Sequence, residues 1–165
     1  MTSVTLDGQE TRISGDLPEV GAVAPAFNLL DRQQQPVSLD DFSGRKLLNI
    51  FPKIVTPVCG NSVRKFNQYA EQHPETPMLM ISADSPEEQQ GFCSSEGLSN
   101  VIALSAAGSS FGEDYGVRIM EGMAEGCLAR SVLVLDEDNK VLYRQLVPEI
   151  GQEPDYDAAL AALKG

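Results

Sequence analysis

The stretch PKIVTPVC, Pro52 to Cys59, follows the apolar run LLNIF and sets a single thiol where a strand gives way to a helix. A redox dithiol would be written Cys-x-x-Cys, but Thr56 stands at the first of those positions and only Cys59 carries sulfur. Val63, Phe66 and Ala70 share the helical face of Cys59, so the sulfur points to the packed side near the helix start. Helix-start N–H groups and the positive end of the dipole favour a thiolate over a thiol, which makes such a sulfur nucleophilic at neutral pH. The competing reading is a small, inert core cysteine. The Thr56 hydroxyl can donate to the sulfur and accept from an incoming hydroxyl, or it can cap the helix. Pro52 and Pro57 restrict the loop and remove two backbone donors, as a rigid pocket wall requires.

The other groups able to do chemistry are few. Cys93 lies in GFCSSEG and Cys127 in MAEGCLAR, and three scattered cysteines do not make a disulfide-stapled scaffold. Cys127 reads as a partly buried cysteine without a chemical task. The single histidine, His73, sits in the polar stretch EQHPETP without a second ligand at metal spacing, so neither a zinc site nor a Cys–His pair is expected. Arg64 is about 140° round the helix from Cys59 and, with Lys65, reads as solvated surface. Arg130 heads the apolar strand SVLVL, where a cation is costly unless a buried anion meets it.

Stepping outward, these residues must be positioned by ordinary elements. VTLDGQETRI reads as a hairpin turning at Asp7-Gly8, and Phe27 to Leu30 and Val37 to Leu39 as short extended pieces. KLLNIFP, PMLMISA and NVIAL are apolar strands, and Cys59 to Ala70 and SPEEQQGFCSSEG are the helices between them. SSFGEDYGV gives one or two helical turns, and RSVLVLDEDNKVLYRQLV is a hairpin around Asp136 to Asn139. EPDYDAALAALKG closes the chain as an amphipathic helix, with Pro154 near its start and Leu160 and Leu163 facing inward. The expected fold is an α/β thioredoxin-like sandwich with an N-terminal β-hairpin, its mixed central sheet flanked by helices.

With 165 residues, 42% of them apolar, the chain is expected to form one domain over 1–165 with a real core. Its net charge of −12 repels phosphate backbones and anionic lipids, so neither nucleic acid nor membrane is an expected partner. No apolar run approaches the roughly 18 residues of a membrane span. MTSVTLDGQETRISG lacks the layout of a secretory signal, which makes the cytoplasm the default compartment and leaves the periplasm open.

Pro52, Thr56 and Cys59, written P-x-x-x-T-x-x-C, resemble the active-site motif of the peroxiredoxins. The longer string LNIFPKIVTPVCGNSVRKFNQ is similar to their thiol peroxidase branch, an atypical two-cysteine family. The likeness continues through ISADSPEEQQGFCSSEGLSNV, LARSVLVLDEDNKVLYRQLVPEI and EPDYDAALAALK, nearly the whole chain. The resemblance implies an antioxidant peroxidase, in which Cys59 attacks the peroxide and becomes a sulfenic acid that a second thiol resolves. It assigns Arg130 to the sulfur and makes Cys93 the resolving partner in an intramolecular Cys59–Cys93 disulfide. It also implies recycling by thioredoxin, hydrogen peroxide and alkyl or lipid hydroperoxides as substrates, a homodimer, and no cofactor or metal.

The sequence offers a route for Cys93 to reach Cys59. Ser85, Pro86 and Glu88 make a good helix start, whereas Gly91, Ser94, Ser95 and Gly97 make its far half weak, so that turn is expected to unwind. Two alternatives stay open on the same fold: a thiol–disulfide oxidoreductase, disfavoured by the missing Cys-x-x-Cys, and a non-catalytic thioredoxin-like redox sensor.

Overall fold

The computed structural model describes residues 3–54 and 56–164; Val55 and the chain ends of the expected 1–165 domain lie outside the described residues. The N-terminal hairpin pairs β1 (Ser3–Leu6) with β2 (Gln9–Arg12), and its two turn residues, Asp7 and Gly8, both take positive φ. That left-handed pair matches the twist of the flanking strands, which is why Asp-Gly marks the turn.

The main sheet has seven strands in the order β4-β3-β7-β6-β5-β8-β9. They are β3 (Asn28–Leu30), β4 (Pro36–Ser38), β5 (Lys46–Ile50), β6 (Met78–Ser82), β7 (Ile102–Ser105), β8 (Ser131–Leu135) and β9 (Val141–Leu146). β5, β6 and β7 run parallel, and the remaining pairs are antiparallel. β5, β6 and β8 are buried along their whole length, so they read as largely apolar runs rather than alternating ones, with Lys46, Asn49, Ser82 and Ser131 as their buried polar residues.

Among the described residues four α-helices complete the fold: α1 (Pro57–Gln72), α2 (Pro86–Glu96), α3 (Phe111–Asp114) and α4 (Tyr156–Lys164). The sheet's two faces feed two separate cores. Leu47, Met78, Met80, Val132 and Val134 pack with Cys59, Val63 and Phe66 of α1, Cys93 of α2, and Ala159 and Leu163 of α4. Their strand neighbours, such as Leu48, Leu79, Ile81 and Leu133, pack on the other side with Ile13, Phe27, Phe111 and Tyr115.

The expected elements are present, with local differences. α1 begins at Pro57, ahead of the expected Cys59, because proline's fixed φ suits the first helical position and its missing N–H costs nothing there. Leu39 belongs to a short 3-10 turn (Leu39–Asp41), closed by Ser38 and Asp41, rather than to β4. In α4 the deepest residue is Ala159, while Leu160 is only partly buried, since the helix lies close against the sheet and its small side lies innermost.

Candidate active site

Cys59 is the third residue of α1, with Thr56 at the N-cap and Pro57 first. Its side chain is fully buried. The Arg130 guanidinium, contributed by the residue before β8, donates from Nη2 to Cys59 Sγ at 3.3 Å. Arg130 is itself 2% exposed, and its Nε donates to the Ile150 carbonyl at 2.9 Å. Nη1 has no acceptor among the described residues. A cation held this deep needs an anion or a polar ligand, and the Cys59 sulfur is the group placed to be the anion.

The loop before α1 is held from below. Ile54 donates its backbone N–H to Asp84 Oδ2 at 2.7 Å, and Ser82 Oγ donates to the same oxygen at 2.7 Å. Gln89 of α2 extends the chain, with Nε2 donating to Ser82 Oγ at 3.1 Å and to the Leu104 carbonyl at 2.9 Å. The helix start is braced from the sheet as well: Asn49 Nδ2 donates to Ser62 Oγ at 3.0 Å, and Ser62 Oγ donates to the Cys59 carbonyl at 2.8 Å. Sequence reasoning did not find Asp84, Gln89, Asn49 or Ser62. The signal was there in Asn49, a polar residue in the middle of a buried strand.

A pocket of about 330 Å³ opens at the start of α1, lined by Pro52, Thr56, Pro57, Val58, Cys127 and the sulfur's partner Arg130 among others, and its walls are mostly apolar. Pro52 is buried in this wall, as the loop's restriction suggested. Thr56 stands at the N-cap position, but its hydroxyl donates to the Lys53 carbonyl at 2.9 Å, so it makes no side-chain cap and does not donate to the sulfur. Its oxygen keeps lone pairs for an incoming donor.

Cys93 is 1% exposed and shares the apolar cluster of Cys59, with both thiols free. Burial pushes the Cys93 thiol up, and the Arg32 cation opposes that in part. The end of α2 is better closed than its composition suggested. Gly97 takes φ 68°, and Gly97 and Leu98 donate their N–H groups back to the Ser94 and Cys93 carbonyls. Cys127 is half-buried as expected, yet it lines the pocket; burial raises its thiol, with the Lys53 cation opposing. His73 stacks on Tyr69 and stands apart from the sulfur site, at the far end of α1.

Arg64 corrects the surface reading. It pairs with Glu96 of α2 at 3.1 Å, and its guanidinium carbon lies 5.9 Å from the centre of the Phe92 ring. The side chain is still 41% exposed, but it is only partly solvated because two helices meet there.

A strand-to-helix thiol paired with a buried arginine on a thioredoxin-like sheet defines a class, and comparison with known proteins names it. The Redoxin family model matches residues 19–160, and the chain belongs to that family. Within it, the chain is 52% identical over 164 residues to a thiol peroxidase of Corynebacterium glutamicum, covering 99% of each. Among solved structures it matches a peroxiredoxin-like protein from Aquifex aeolicus with a TM-score of 0.93 at 33% identity, covering 99% of this chain and 96% of that one. A thiol peroxidase from Chromobacterium violaceum matches with a TM-score of 0.90 at 25% identity and the same coverage. The thiol peroxidase branch of the peroxiredoxins is thus where its sequence and its fold both stand.

Proposed function

We propose that the chain is a thiol-dependent peroxidase in which Cys59 is the peroxidatic cysteine and Cys93 the resolving one, all within one domain spanning 1–165. The observation that carries this reading is the 3.3 Å contact from Arg130 Nη2 to Cys59 Sγ, at the start of α1 beside an open pocket. The Cys59 thiolate attacks the terminal oxygen of R–O–O–H. The O–O bond breaks, RO⁻ leaves and takes up a proton as ROH, and Cys59 becomes Cys–SOH. Arg130 holds the sulfur as an anion through Nη2, while Nη1 offers a donor to a peroxide oxygen as charge develops. Thr56 accepts from the peroxide O–H, and Pro52 forms the pocket floor that excludes water.

Cys93 then attacks the sulfenic sulfur, giving a Cys59–Cys93 disulfide and one water. Two electrons from a dithiol, thioredoxin in this reading, restore both thiols. The apolar pocket suits alkyl and lipid hydroperoxides beside hydrogen peroxide, and a homodimer acting in the cytoplasm completes the proposal. No helix among the described residues is long and apolar enough to cross a membrane. The test is single-turnover peroxide consumption with mass spectrometry of the products. Cys59→Ser is expected to abolish turnover, and Cys93→Ser to consume one equivalent and stop at the sulfenic acid. Full activity in Cys59→Ser, or a Cys59–Cys127 disulfide in the parent protein, would overturn it.

A further inference from the structure

Helix α2, which carries Cys93, is fastened in two unequal halves. At its N-terminal half Ser85 and Glu88 cap each other, with Glu88 N–H donating to Ser85 Oγ at 3.2 Å and Ser85 N–H to Glu88 Oε1 at 2.9 Å. Pro86 is buried, and fully buried Gln89 is tied to β7 through the Leu104 carbonyl and to the Ser82–Asp84 chain beneath the Cys59 loop. This half is bonded into the sheet.

The other half, Phe92 to Glu96, makes no hydrogen bond to the sheet among the described residues; Cys93 is buried in the apolar cluster and bonded by Arg32, and the rest of this half is more exposed. Its polar tie to α1 is the Arg64–Glu96 pair at 3.1 Å, whose side chains are 41% and 37% exposed, with Arg64 also set against the Phe92 ring. The contact falls directly on Gly60, the residue after Cys59. A Cβ there would lie 3.1 Å from Arg64 Nη1 and 3.1 Å from Phe92 Cζ. Beyond the helix the chain is pinned again, as Asn67 Oδ1 of α1 accepts from the N–H groups of Asn100 and Val101 at 3.0 and 3.2 Å. Between Gln89 and Phe92 sits Gly91, exposed and with nothing within 4 Å of a Cβ placed on it. Glycine is the weakest helix former after proline, so the break between the two halves falls there.

We propose that Arg64 is a positioning residue for the resolving step: with Phe92 and Glu96 it latches the Cys93 half of α2 onto α1, and opening of that latch about Gly91 sets how fast Cys93 reaches oxidised Cys59. The inference rests on the thiol peroxidase reading above. Its consequence is a partition. Sulfenic Cys59 either condenses with the Cys93 thiol, releasing water, or meets a second peroxide, which oxidises it to the sulfinic acid and is itself reduced to ROH. A tighter latch favours the second fate and a looser one the first.

The experiment mixes the reduced full-length protein with hydrogen peroxide and quenches it at millisecond intervals. Mass spectrometry then gives separate rates for loss of the Cys59 thiol and for disulfide formation, and the sulfinic fraction at excess peroxide. Glu96→Gln and Arg64→Met are each expected to speed the disulfide step roughly two- to fivefold, the range open to a half-exposed ion pair with a cation–π contact. Both should lower the sulfinic fraction and leave the first oxidation rate unchanged, and the double variant should add little to either. Added salt should speed the step in the parent protein and not in Glu96→Gln. Gly91→Ala should act in the opposite direction on both readouts. A disulfide rate in Glu96→Gln equal to the parent's overturns the latch and leaves the peroxidase reading standing. An equal change in the first oxidation rate also overturns it, since the variant would then have loosened the whole site. No Cys59–Cys93 disulfide in the parent protein overturns the reading and the latch together.

Discussion

Arg130 and Cys59 are 71 positions apart in the chain, yet the guanidinium Nη2 meets the sulfur at 3.3 Å inside the molecule. The same side chain is fixed at its other end by the Ile150 carbonyl, so the cation cannot swing away without stranding a buried acceptor. In Arg130→Gln the charge-assisted contact is lost. Such contacts contribute about 1.5–3 kcal/mol, so the second-order rate with peroxide should fall roughly 10- to 100-fold. Stopped-flow peroxide reduction checks this, with circular dichroism to confirm the fold. A rate within twofold of the parent's would remove Arg130 from the chemistry.

Asp84 ties the loop before α1 to the sheet by accepting from Ile54 N–H and Ser82 Oγ. Asp84→Ala leaves that buried N–H without its acceptor, a cost of about 1–3 kcal/mol. Urea unfolding should show this loss of stability, together with slower peroxide reduction, because the loop that carries Pro52 and Thr56 loses its support. An unchanged unfolding midpoint would mean that the loop is held by other means.

Glu149 accepts from the N–H groups of Gly8 and Gly151 at 2.9 Å each, and from Thr5 Oγ1, so it fastens the N-terminal hairpin beside Ile150. These bonds, the Gly151 and Gly8 N–H groups first, hold its carboxyl at about 2, below the ordinary 4.5. The folded protein therefore binds this proton less readily than the unfolded chain. Its contribution is complete above about pH 4.5 and is lost as the pH falls towards about 2. Thermal melts across that window should show stability rising with pH, and Glu149→Gln should flatten the slope. An identical slope in the variant would refute the assignment.

Gly116 has φ +71°, and a Cβ on it would fall 2.3 Å from the Asp16 carbonyl oxygen and 2.5 Å from the Asp16 nitrogen. Both atoms are backbone and have no rotamer by which to move aside. Gly116→Ala combines that clash with an unfavourable φ, and a loss of more than about 2 kcal/mol is expected. Denaturant unfolding measures it; a midpoint equal to the parent's would contradict the packing described here.

The local features of this protein were decided by the sequence itself. Asp7-Gly8 specifies a turn that needs two positive φ values, Pro57 starts a helix, and Ser85 with Glu88 caps one, because each depends on neighbours a few residues away. The largely apolar runs of β5, β6 and β8 likewise announced buried strands, and PKIVTPVC announced a single thiol where a strand gives way to a helix. Arg130 was legible as an anomaly, a cation heading an apolar strand, and it was the family resemblance rather than the strand pattern that named the Cys59 sulfur as its partner. Tertiary structure decided what lies across the fold. It joined Asp84 and Gln89 through Ser82 under the loop before α1, and placed Arg64 on Phe92 and Glu96 of another helix. Sequence spacing says which face of a helix a residue occupies, but which element packs on that face follows only from strand order and burial. Polar side chains take whichever partners that packing leaves within about 3 Å.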